Sequence, residues 1–297
     1  MRPCTGPMPL DRVGIRFDAI RSWCGGPTFS FSRTRLRGLE WARSESLTGA
    51  PRRRIIRAKK KRKAMMAIAL KAALEDLLKE RRLQAEAPPL RGVDRRLRPL
   101  ASGIPEVDRL LGGGFPRGQI SEVHGPRSSG RTGLAYAVVA RTTREGSLVA
   151  WVDAGDHLDP ATASTAGVEL TRLLWLRGGD RVNRALPRCL SALGTLLSSG
   201  LFDLVVLDVA CVAVRQLPNA IWIRLGRMLE STPTALLVLG REHVACGPRG
   251  AALALRPAAP RWSGQAGPGR LFQGLEVEAA VGRHAVRRAS FALQAAH

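Results

Sequence analysis

The sequence predicts an α/β fold with a mostly parallel central sheet, and three observations predict it. Short apolar runs alternate with helical patterns through the middle of the chain, one run leads into a glycine-rich loop at residues 125–132, and a carboxylate, Asp208, closes a later run. Strand and helix in alternation imply right-handed crossovers and a doubly wound sheet buried on both faces. In such sheets ligands bind at the carboxyl ends of the strands, where this loop falls.

The elements follow in order. Apolar runs predict strands at 119–124, 148–153, 173–176, 204–208 and 235–239, and helices fit between them at 132–142, 160–166, 181–198 and 219–229. Two further strands, 274–281 and 284–293, flank Gly282-Arg283 as a C-terminal β-hairpin. The intervening segment 241–269 is rich in Gly, Pro, Ala and Arg and reads as loop. Upstream, residues 66–84 form an amphipathic helix with Leu70, Leu74, Leu77 and Leu78 on one face and Lys71, Glu75, Lys79 and Arg82 elsewhere. Pro88 and Pro89 end it, and a basic linker covers 91–98.

Residues 1–51 show no sustained period and read as disordered, and 52–63 is a basic block. A second reading starts the natural protein at Met65 or Met66, with everything upstream a wrongly translated leader. The expected organisation is a disordered basic extension over 1–64, the amphipathic helix and linker over 66–98, and the α/β core with its hairpin over 99–297.

At 297 residues and 45% hydrophobic content the chain can bury a sizeable core. Its net charge of +23 is uneven, since residues 1–64 hold 17 Lys/Arg against 4 Asp/Glu. A basic chain favours nucleic acid through phosphate neutralisation, while an Arg-rich genome accounts equally well for the excess beyond residue 64. The five cysteines, Cys4, Cys24, Cys189, Cys211 and Cys246, form no C-x-x-C pair and have no His at ligand spacing. That pattern suits a reduced cytoplasmic protein without structural zinc. No apolar run approaches the roughly 18 to 20 residues that span a bilayer, so no membrane association is expected.

The loop carries the chemistry. Gly125, Pro126, Arg127, Ser128, Ser129, Gly130, Arg131 and Thr132 fill the pattern G-x-x-x-x-G-K-[ST] except that Arg131 stands where Lys is required. Glycines let backbone N–H groups cradle phosphate, and the Thr132 hydroxyl is placed to hold magnesium. Arg keeps the charge, but its planar fork is bulkier than an ammonium and prefers two-point geometry. Asp208, ending the run 204–207, is the expected second partner of the magnesium. Asp153, Asp156 and Asp159 cluster in WVDAGDHLDP, where carboxylates can orient water or simply shape a turn, and His157 lies among them.

The blocks ASGIPEVDRLLGGGFPRGQISEVHGPRSSGRT, VAWVDAGDHLDP, GVELTRLLWL and FDLVVLDVA, in this order, resemble the core of bacterial RecA recombinases. The resemblance implies a RecA-like P-loop NTPase core that uses ATP with magnesium, preceded by a helix that docks on a neighbouring subunit. Three departures stand against full activity. Arg131 replaces the lysine; the family's Asp-Ala-Glu, whose Glu activates water, is matched by Asp153-Ala154-Gly155; and the two DNA-binding loops are shortened, with Gly240-Arg241-Glu242 lacking the nucleotide-sensing glutamine. A short, basic relative of this kind resembles the ImuA family of bacterial mutagenesis cassettes. That resemblance implies a non-catalytic DNA-repair accessory role in SOS-induced error-prone translesion synthesis. Its implied partners are an ImuB-like inactive Y-family polymerase, an error-prone replicative-type polymerase, and DNA. The alternative is a slow DNA-stimulated ATPase or recombinase of the RecA family, using Arg131, Thr132 and Asp208 with Asp156 as the water-orienting base.

Overall fold

Apolar runs that are hidden on both faces form the parallel centre of a nine-stranded sheet. The computed structural model describes residues 14–16, 76, 98–178, 182–213, 217–245, 250–264, 267, 269–281 and 287–295. The strands are β1 (Gly14–Arg16), β2 (Ile120–His124), β3 (Val149–Asp153), β4 (Leu173–Arg177), β5 (Leu204–Asp208), β6 (Ala235–Gly240), β7 (Ala252–Ser263), β8 (Leu271–Val281) and β9 (Arg287–Gln294). The helices are α1 (Pro105–Leu111), α2 (Arg131–Arg144), α3 (Pro160–Thr165), α4 (Val182–Ser199) and α5 (Asn219–Leu229). Strand order is β1-β4-β3-β5-β6-β2-β7-β8-β9, parallel as far as β7 and antiparallel from β7 to β9.

Alternation along each central strand splits the core into two layers. Val205 and Leu207 of β5 face a cluster with Leu193, Leu197, Trp222, Leu225 and Leu229 from α4 and α5. Leu204 and Val206 face the other layer, with Leu134 and Val138 of α2, Trp151, Leu253, Val277 and Phe291. Every residue of β3, β5 and β6 is buried, as a sheet covered on both sides requires.

Segment 241–269, expected as loop, instead contains the 12-residue strand β7. Its apolar signal is weak because only Leu253 and Leu255 are buried, while residues 256–262 are exposed. Pro257 and Pro260 are tolerated because β2 pairs with β7 only at Ala252, Leu253 and Ala254. Beyond that, β7 is paired on one side alone, to β8, and its register shifts at Pro257/Ala259 and Arg261/Trp262. A residue without an N–H is harmless on an unpaired edge or at a bulge. The C-terminal hairpin is thus the outer part of a three-stranded antiparallel wing.

Inside the basic extension, Gly14–Arg16 pairs in parallel with Trp175–Arg177 of β4, a strand too short to leave a period in the sequence. The expected helix over 66–84 lies outside the described residues apart from Asp76, which is helical and exposed, and the turn at Gly282-Arg283 also lies outside them. No helix among the described residues is long and apolar enough to cross a membrane.

Candidate nucleotide site

The loop joins the end of β2 to α2, with β6 on one side of β2 and β7 on the other. Two glycines are demanded by its path. A Cβ at Gly125 would stand 2.3 Å from the Leu255 carbonyl oxygen of β7 and 2.8 Å from Ser129 Oγ. Gly130 caps α2 at φ 87°, and a Cβ there would meet Leu293 at 2.6 Å and Val277 at 2.9 Å. The antiparallel wing therefore presses directly on the loop and holds its shape. Ser128 is also left-handed at φ 58°. Successive turns of this kind point backbone N–H groups into one concavity, and the start of α2 adds its positive end. Pro126, Arg127, Ser128 and Thr132 are exposed, whereas Ser129 is buried and its hydroxyl has no hydrogen-bond partner among the described residues. The backbone of this loop fits a phosphate.

Its cation is otherwise engaged. Arg131 NH1 donates to the Gly240 carbonyl at 2.5 Å, and the same carbonyl accepts the Gly125 N–H at 3.3 Å. Burial, the largest cause, lowers the Arg131 pKa; Asp208 opposes the shift and Arg241 adds to it. The guanidinium thus closes a bridge between the loop and the end of β6.

Asp208 ends β5 in register with Asp153 of β3 and Leu239 of β6. It is almost fully buried, and its Oδ1 accepts the Ala210 N–H at 2.9 Å. Burial pushes its carboxyl up to about 6; Asp153 adds to the shift, while the Ala210 bond, His157 and Arg131 oppose it. Of the sequence-predicted residues, the structure couples Arg131 and Asp208 electrostatically across the β6 tip.

The acids after β3 are spent on structure. Asp153 is fully buried and accepts the N–H groups of Gly155 and Leu158 and the Trp175 indole N–H. Asp159 caps α3 through the N–H groups of Ala161 and Thr162. Asp156, the water-orienting base of the alternative ATPase reading, is held by Arg177 in a two-point ion pair at 2.6 and 2.7 Å, and Arg177 also stacks 4.5 Å over Trp175. The space beside Gly155 is filled: a Cβ there would stand 2.7 Å from Cys211 Sγ and 2.7 Å from His157 Cε1. A glutamate at this position would have to displace both side chains.

Glu122 was missed by the sequence reading. It lies inside β2, only 2% exposed, and accepts Val244 N–H at 2.6 Å, Ala245 N–H at 3.1 Å and His243 Nδ1 at 2.6 Å. This carboxylate anchors the segment that follows Gly240, the last residue of β6, whose carbonyl receives Arg131. His243 stands 5.6 Å from the His124 ring, and burial is the main cause holding His124 below its ordinary pKa; Glu122 opposes, and His243 and Arg131 add. The available signal was a carboxylate within the apolar run Ile120–His124, since a buried charge needs partners.

The model of the RecA N-terminal domain matches residues 69–220. Protein RecA of Lactobacillus delbrueckii subsp. bulgaricus is 38% identical over 143 residues, 46% of this chain and 42% of that protein. Protein RecA of Streptococcus uberis is 40% identical over 116 residues, 39% of this chain and 29% of that protein. The chain thus spans less than half the length of these curated relatives.

Proposed function

This chain belongs to the RecA N-terminal domain family, and from that premise we propose that it is a RecA-like accessory protein of SOS-induced, error-prone translesion synthesis. In this reading it works on DNA and through partners, an ImuB-like inactive Y-family polymerase and an error-prone replicative-type polymerase, rather than by turning over ATP. The observation that carries the reading is the contrast within one site. The phosphate-cradling backbone is kept, while Arg131 is bound to Gly240 and the place of the water-activating carboxylate is filled by His157 and Cys211.

Magnesium–ATP, where it binds, supplies the phosphates that the loop would face. The backbone of residues 125–132 would hold them, with Thr132 and Asp208 on the magnesium side. Asp208 keeps its charge at neutral pH at a cost, because burial raises its carboxyl to about 6, and a bound cation would offset that cost. Releasing Arg131 toward a phosphate would cost the loop its bridge to β6. Asp156 cannot serve as a base without surrendering Arg177.

The test is genetic and separates the two readings. Deleting the gene should lower mutation frequency after DNA damage while leaving homologous recombination intact. Loss of recombination with unchanged damage-induced mutagenesis would instead support a recombinase.

A further inference from the structure

The outer end of the β7–β8 ribbon carries side chains that the core does not need. Trp262 stands opposite Phe272 in the ladder, their rings 5.4 Å apart in an edge arrangement. Trp262 is 46% exposed, Phe272 41% and the adjoining Leu271 63%. Among the described residues, Ile223 is the one other large apolar side chain this exposed. Arg270 lies 5.5 Å over the Trp262 ring, and Arg256 and Arg261 are exposed on β7. Between Glu242 and Glu276 the chain has Arg249, Arg256, Arg261 and Arg270 and no carboxylate.

Further in along the ribbon Arg256 stands opposite the exposed Glu278, but at the outer end the charges are Arg261 and Arg270. Two exposed aromatics beside these two cations suit an occupant with flat apolar faces joined by anions. Single-stranded nucleic acid has that chemistry: bases stack on aromatic rings and phosphates meet arginine. A duplex hides its base faces, and an acidic protein surface offers no stacking partner. We propose that the end of the β7–β8 ribbon, through Trp262, Phe272, Arg270 and Arg261, binds single-stranded nucleic acid by base stacking. The proposal rests on the reading that this chain works on DNA, and it names the surface and the form of DNA.

The experiment measures fluorescence anisotropy of a labelled oligo-dT with the full chain across a salt series. Trp262→Ala and Phe272→Ala should each weaken binding by about tenfold while leaving the slope of log affinity against log salt unchanged. Trp262→Phe should retain most of the affinity, and Trp262→Leu should not. Arg270→Ala should reduce the salt slope by about one. The basic segment 52–63 contains no aromatic residue, so any polyanion binding by it would survive the aromatic substitutions, and those variants decide the matter. Unchanged affinity in a Trp262→Ala/Phe272→Ala double variant sinks the stacking surface and leaves the DNA-repair reading standing. Tighter binding of a duplex of the same length also overturns it. A wild-type chain with no affinity for the oligonucleotide overturns both the surface and the direct DNA contact, while the partner-based role is judged by the mutagenesis test. Thermal melting guards against misfolding, and 5-iodouracil crosslinking should mark residues 262–272; crosslinks confined to residues 52–63 contradict the proposal.

Discussion

The parallel half of the sheet and the outer end of the antiparallel wing obey different rules. In the parallel half both faces are covered, and buried charged groups tie separate segments together: Glu122 holds the segment after β6, Asp153 the turn after β3, and Arg117 donates to Asp203 at 2.9 Å. At the outer wing, longer strands of 12 and 11 residues present their side chains to solvent. The wing's inner end nevertheless shapes the loop, since Leu255, Val277 and Leu293 leave no room for a side chain at Gly125 or Gly130. The glycines of such a loop can therefore be required by packing alone. Loop glycines are evidence of fold, and the residues at 131 and 155 are the evidence about turnover.

The contrast can be broken most forcefully at Glu122. Glu122→Ala strands two backbone N–H groups and His243, and should cost about 3–5 kcal/mol in chemical denaturation. A loss under about 1 kcal/mol would mean that the anchor is dispensable. Gly125→Ala comes next, at about 2–3 kcal/mol from its collision with the Leu255 carbonyl. That loss should appear without any nucleotide present, whereas a purely nucleotide-binding glycine would tolerate the change.

Asp208→Asn should act in the opposite direction. The folded carboxyl, raised from 3.8 to about 6, binds more protons than the unfolded one between those values, so this group's contribution to stability declines as pH rises through that window. The variant should therefore gain about 3 kcal/mol at pH 8 and almost nothing below about pH 4, as read by melting across pH. A gain that does not depend on pH would remove buried charge as its cause. Trp262→Ala closes the series, with stability within about 0.5 kcal/mol of wild type because the ring is outside the core.

The same contrast decides what was legible in the sequence. β3, β5 and β6 were readable to within a residue because burial on both faces writes a continuous apolar run. β7 was not, since two buried leucines followed by Arg256, Pro257 and Pro260 have the composition of a loop, and its strand character comes from pairing with β8. At the site, the wrong residues at 131 and 155 were visible in the chain. Where they lead was not: Arg131 to a carbonyl 109 positions away, and Gly155 to a gap closed by Cys211, are facts of tertiary packing. Asp156 looked available only because Arg177, on the next strand, is silent in sequence.

The central claim is that the phosphate-loop frame survives while turnover does not, and phosphate release from magnesium–ATP by the full chain with single-stranded DNA tests it most directly. The account predicts no DNA-stimulated release above a protein-free blank. Sustained DNA-stimulated hydrolysis at recombinase-like rates, abolished by Thr132→Ala, would contradict it.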